Sequence, residues 1–129
     1  MTRQHAAVVP FANAEEAWLW TCRMVAGSVY GVPVQRAPEP ILRPCQPLDV
    51  VHAVDQLYRH GQLTRDHLAV LGHYGRRQSA PYPAPDPARD REARARLLWD
   101  EAFGQIAPVL AAKGFILWER AGTAAFEMV

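Results

Sequence analysis

Five histidines, two cysteines and two pairs of adjacent acids are the side chains from which this chain would have to build a reaction centre or a metal site. The histidines are His5, His52, His60, His67 and His73. None stands in the His-Glu-x-x-His spacing that sets two imidazoles and a general base on one helical face. His67 and His73 are separated by about 600° of helical rotation and face different ways. His60 and His67 can approach across a turn at Gly61, and His52 follows Asp49 by three residues. A metal would still need ligands from Cys22, Cys45 or an acid brought in by folding, and solvated or cap-completing imidazoles are the ordinary alternative. Cys22 and Cys45 form no Cys-x-x-Cys knuckle and no disulfide framework. Cys22 falls on an apolar helical face, where a buried thiol is inert. In Glu15-Glu16 and Asp100-Glu101 the two acids diverge by about 100° on a helix, so neither pair can share one substrate. The chain has no Gly-x-Gly-x-x-Gly, no phosphate-binding loop and no Gly-x-Ser-x-Gly elbow. The expectation is a non-enzymatic protein with no catalytic residue, no metal and no cofactor.

Arginine offers a different chemistry. The net charge is only +1, from 14 basic and 13 acidic residues, yet every basic residue except Lys113 is Arg. From residue 65 to 96 the arginines are Arg65, Arg76, Arg77, Arg89, Arg91, Arg94 and Arg96, against the acids Asp66, Asp86, Asp90 and Glu92. Guanidinium groups grip phosphate in a planar fork, and Tyr74 and Tyr82 are near enough to accompany them. This excess makes DNA the leading expected partner. Two ordinary accounts compete: a base composition that favours Arg, Ala and Pro codons, and intrahelical ion pairs such as Asp90 with Arg94 and Glu92 with Arg96.

Tryptophan supports the alternative, a protein–protein adaptor or homodimer. Trp18, Trp20, Trp99 and Trp118 are many for 129 residues, and tryptophan anchors interfaces because it buries a large area at small entropic cost. Trp18 and Trp20 differ by about 200° on a helix, and Trp99 sits beside an apolar stripe. Trp20 and Trp99 are therefore the expected partner-binding residues, against the view that they fill a two-sided core.

The elements that must position these residues are helices. Residues 1–12 read as a flexible arm. Asn13-Ala14-Glu15-Glu16 is a capping box, and Trp18, Cys22, Val25 and Val29 follow as a stripe that Gly31 and Pro33 end. Residues 31–47 form a proline-rich connector. Pro47 suits a first helical position; Val50, Val51, Val54, Leu57 and Tyr58 form the next stripe, up to Gly61. Thr64 caps a helix with Leu68, Leu71 and Tyr74 on its buried face, expected to end at Gly75. Residues 47–75 thus read as an αα-hairpin or helix-turn-helix. Tested as a DNA-reading head with Gly61 at the turn, the pattern fits poorly. Bulky Leu57 occupies a small-residue position, and Gln56, His60 and His67 fall in buried slots. Residues 76–87 are a second proline-rich strap. The last helix carries Ala95, Leu98, Ala102, Ile106, Val109 and Leu110 on one face and a kink or break at Pro108. Phe115–Glu119 is an apolar strand candidate that can pair with 124–128 as a short C-terminal β-hairpin; a disordered 120–129 tail is the alternative.

The fold class is therefore all-α, with four to five helices forming a single domain over 13–119. No stretch approaches the ~20 apolar residues of a membrane span and no secretory signal is evident, so a cytoplasmic protein with no membrane partner is expected. The runs Arg43-Pro44-Cys45-Gln46-Pro47-Leu48-Asp49-Val50, Asp55-Gln56-Leu57-Tyr58-Arg59 and Asp66-His67-Leu68 through Arg76-Arg77 resemble a group of small uncharacterised bacterial helical proteins across most of 11–117. That resemblance implies a bacterial origin and carries over no activity, cofactor or site residue.

Overall fold

The helices that begin at residues 14, 47 and 65 start where a polar side chain can hold an amide at the helix entrance. Asn13 Oδ1 accepts the Glu16 N–H at 2.8 Å, while Glu16 Oε1 reaches back to the Ala12 N–H at 2.6 Å, one residue before the amide expected for a capping box. Asp49 Oδ2 accepts the Gln46 N–H at 2.7 Å. Thr64 Oγ1 accepts the His67 N–H at 3.3 Å, and His67 Nδ1 accepts the Thr64 N–H at 2.9 Å, so an imidazole stands where such a box usually has Glu or Gln. With Nδ1 accepting, the ring proton lies on Nε2, which donates to Glu101 Oε1 at 2.9 Å. The computed structural model describes residues 7–30, 41–82 and 90–117. Among them the helices are α1 (Ala14–Tyr30), α2 (Pro47–Arg59), α3 (Arg65–Arg77) and α4 (Asp90–Ala112).

Two helix ends differ from expectation. The third helix runs past Gly75 to Arg77 and stops at Gln78, which takes the left-handed conformation at φ 60°. Gly75 is instead a contact point between helices: a Cβ there would collide with Cys22 Sγ and lie 3.0 Å from Trp18 Nε1. The fourth helix continues through Pro108 without a break. Pro108 and Gly104 are both on the exposed side, where water can satisfy the carbonyl that loses its amide partner.

The all-α fold is as expected, but its packing is not that of a paired hairpin. α1 and α4 each pack against both α2 and α3, whereas α2 and α3 barely meet. The short corner at Gly61, φ 81°, therefore joins two helices that are separated by the other pair. Along α4 the innermost line runs through Ala95, Trp99, Ala102, Ile106 and Leu110, with Leu98 displaced to the edge. On α1 the buried face is Ala14, Ala17 and Thr21, and Val25 is exposed. Thr21 enters the core because its hydroxyl donates to the Ala17 carbonyl at 2.8 Å.

The expected arm is anchored over its described part. Val9 N–H donates to Leu42 O (2.8 Å), Phe11 N–H to Phe115 O (3.0 Å) and Leu117 N–H to Phe11 O (2.8 Å). Residues 7–12 thus lie between the 41–43 and 115–117 segments through two parallel bridges, and Phe11 is fully buried. Arg43 fixes this strip. Its guanidinium lies 4.3 Å over the Phe11 ring, donates to Val9 O at 3.2 Å and sits 3.7 Å from Glu16 Oε2. Ile116 pairs with Phe11, while the hairpin partner expected at 124–128 lies outside the described residues. Among the described residues no helix is long and apolar enough to cross a membrane.

Candidate functional site

The expected DNA-binding arginines separate into three groups. Arg94 and Arg96 are engaged: Arg94 Nη2 binds Asp66 Oδ2 on α3 at 3.1 Å, and Arg96 binds Asp100 at 3.3 Å and the Pro81 carbonyl at 3.3 Å. Arg96 thus pairs with Asp100 where Glu92 was expected, and the side chain of Asp90, expected to pair with Arg94, lies outside the described residues. Glu92 instead accepts the Tyr74 hydroxyl and the Tyr82 N–H, each at 3.0 Å. Arg65 begins α3, about 16 Å along the helix axis from Arg76 at 1.5 Å per residue, and does not join the others. Arg89 lies outside the described residues.

Arg76, Arg77 and Arg91 form the third group. The contacts Tyr74–Glu92, His67–Glu101 and Gln62–Gln105 run α3 and α4 antiparallel, so the end of α3 meets the start of α4. Arg77 lies 5.7 Å over the Tyr74 ring, whose hydroxyl donates to Glu92 beside Arg91. Sequence reasoning missed a fourth member, Arg23. Gln78 at the end of α3 donates to the Leu19 carbonyl at 2.8 Å, and Arg23, one turn beyond Leu19, shares a surface hollow with Gln78, Trp20 and Arg43 and with the acids Glu15 and Glu16, neither of which it pairs with. All four arginines are exposed, and none makes an ion pair within the described residues. No sequence spacing signals Arg23, because it reaches this end only through the packing of α1 on α3. Burial, with the Glu92 hydrogen bond adding to it, raises the Tyr74 hydroxyl above its ordinary range.

The two expected tryptophan anchors are placed differently. Trp99 is fully buried, its indole N–H donating to Glu15 Oε2 at 2.7 Å and its ring against Phe103 at 4.7 Å. It is a core residue of α4 and presents no surface to a partner. Trp20 is half-buried against Phe11, 4.9 Å between ring centres. Trp18 turns the other way and donates to the Leu71 carbonyl at 2.9 Å. The strip containing Phe11 supplies the second packing surface that lets one helix bury two tryptophans about 200° apart.

The described histidines remain dispersed, and His5 lies outside the described residues. His67 is tied to Thr64 and Glu101, His73 lies against the edge of Tyr74 at 4.7 Å, and His52 lines a hollow between α2 and α4 with Asp55 and Lys113. Among the described residues no three His, Cys, Asp or Glu side chains gather as a metal-binding group. Burial pushes the Cys22 thiol up to about 11 against the opposing pull of Arg76; burial and Asp49 push Cys45 to about 11 against Arg43. Both thiols are thus held protonated near neutrality, which suits inert packing and not nucleophilic attack. Comparison with family models, with curated proteins and with solved structures finds no match for this chain.

Proposed function

We propose that this protein is a non-enzymatic regulatory protein that associates with DNA through the basic end formed by Arg23, Arg76, Arg77 and Arg91. The observation that carries this reading is that four exposed guanidinium groups stand in the last turn of α3, in the first turn of α4 and one turn beyond the Leu19–Gln78 contact on α1, none of them in an ion pair with a described residue. Guanidinium groups left unneutralised on convergent elements favour a polyanion. The position of Arg76 and Arg77 in the last turn of α3 also suits the negative end of that helix, and the same groups remain free to bridge to phosphate. The weak contact between α2 and α3 argues for backbone binding over insertion of a reading head, so sequence-tolerant association is the expected mode. A gel-shift assay at low salt tests this. The wild type retards a short duplex, and a variant with Arg76→Ala and Arg77→Ala does not; absence of any shift by the wild type would end the proposal.

One observation favours a second reading, self-association. Val8, Val9, Ile41, Leu42 and Leu48 are all exposed, and the Val8–Leu42 bridge sets two of them side by side. Exposed apolar side chains grouped this way mark interfaces, and symmetric dimers are the commonest assemblies. Sedimentation equilibrium of the wild type and of a variant with Ile41→Asp and Leu42→Asp tests it: a concentration-dependent dimer lost in the variant supports the reading, and a monomer throughout removes it.

A further inference from the structure

Between α1, α2 and α3 lies a pocket of about 290 Å³ that is half open to solvent, near the lower end of the roughly 300–1,000 Å³ range of small-molecule sites. Its walls are Trp18, Cys22, Val25 and Ala26 from α1 and Val51 from α2, with Gly72 and Arg76 from α3. The polar groups of these walls are already spent inward. Trp18 Nε1 donates to the Leu71 carbonyl, and Thr21 Oγ1, also at the pocket, donates to the Ala17 carbonyl. What the walls show the cavity is hydrocarbon, an aromatic face and a protonated thiol. Gly72 leaves the α3 wall without a side chain, and Arg76 folds back across it: a Cβ on Gly72 would lie 3.3 Å from Arg76 Nη1. That guanidinium has no hydrogen-bond or ion-pair partner among the described residues, although it borders the cavity.

We propose that this pocket binds a small monocarboxylate with an apolar body, its tail against Trp18, Val25 and Val51 and its carboxylate on Arg76. A neutral apolar ligand would fill the walls and leave the guanidinium unanswered. A polyanion would answer the charge and find no polar group in the cavity. A planar carboxylate matches the fork of an arginine in bidentate geometry, and the cavity size limits the apolar part to a short chain or a single ring. The site stands apart from the DNA reading, although Arg76 contributes to both, and its test contains no nucleic acid.

The experiment is calorimetric titration of the full chain with octanoate and, separately, with octan-1-ol. Octanoate is expected to bind the wild type in preference to the alcohol. Arg76→Gln should weaken octanoate by about tenfold or more, the usual scale for one charge-assisted contact, and leave octan-1-ol within about twofold. Arg65→Gln removes the same charge from the far end of α3 and should change neither ligand. Val51→Phe fills the cavity from α2 and should abolish both, with unchanged helical circular dichroism verifying that the variant is folded. Three results would overturn the proposal: no octanoate binding, equal octanoate affinity in the wild type and Arg76→Gln, or a concentration-dependent dimer in which the pocket is closed by a second copy and Val51→Phe dissociates it.

Discussion

The Trp99 indole N–H lies 2.7 Å from Glu15 Oε2, so the largest fully buried side chain of α4 is oriented by a carboxylate in the first turn of α1. The same Glu15 contributes negative charge to the positive end of α1. Helix start and core are thus fastened by one residue. Glu15→Ala leaves a buried indole N–H without its acceptor and should lower unfolding free energy by about 1–3 kcal/mol. Trp99→Ala should cost about 3–5 kcal/mol. Urea denaturation of both variants measures this, and a Glu15→Ala protein as stable as the wild type would show that the bond does not contribute.

Gly75 and Gly104 are both helical, and alanine should act on them in opposite directions. Nothing lies within 4 Å of a Cβ built on Gly104, so Gly104→Ala should gain about 0.5–1 kcal/mol from helix propensity alone. Gly75→Ala drives a methyl into Cys22 Sγ and should cost about 1–3 kcal/mol as overpacking. The double variant Gly75→Ala with Cys22→Ala should recover part of that loss. Thermal melts of the four proteins separate propensity from packing.

Arg43 holds three things at once: the Val9 carbonyl, the face of Phe11 and the Glu16 carboxylate. Arg43→Ala should therefore loosen the 7–12 strip before it affects the helices. Amide exchange at Val9 and Phe11, whose N–H groups bond Leu42 and Phe115, should speed up while the buried amides of α4 stay protected. Uniform acceleration across the chain would contradict this division.

Both thiols titrate at about 11, against an ordinary value of 9.0. The folded state therefore holds these protons more tightly than the unfolded state. The resulting stabilisation is fully present below pH 9 and is lost as pH rises from about 9 to about 11. Alkylation of the native protein should be slow at neutral pH and climb across that same window. Cys22→Ala should flatten part of the fall in stability, measured against the wild type so that other groups titrating there cancel. A wild type whose thiols alkylate at neutral pH as fast as in the unfolded chain would contradict the cause assigned here, which is burial.

Much of the helical framework was legible because α2 and α3 present large apolar side chains at helical spacing behind Pro47 and Thr64, so position and buried face followed together. The faces of α1 and α4 were less legible for a common reason. α1 packs through Ala14, Ala17 and Thr21, whose small size allows close approach but gives little apolar signal, and the larger Val25 drew the expected stripe outward. On α4 the centre is Trp99, which periodicity assigned to the flank. The strip at 7–12 was illegible because two isolated bridges between distant segments leave no alternation to read. Arg94 shows the limit for the candidate site: it binds Asp66 on another helix, a partner that no sequence spacing signals. Arg23 could be added only once the packing of α1 against α3 was known.

The basic end is tested most directly by the slope of log Kobs for a short duplex against log salt concentration. Contact by Arg23, Arg76, Arg77 and Arg91 predicts a slope of about −3 to −4, since each phosphate neutralised contributes about −0.9. Each Arg→Ala change at those four positions should bring it about one closer to zero, while Arg65→Ala leaves it where it was. A wild-type slope near zero, or one that survives removal of both Arg76 and Arg77, would contradict the account.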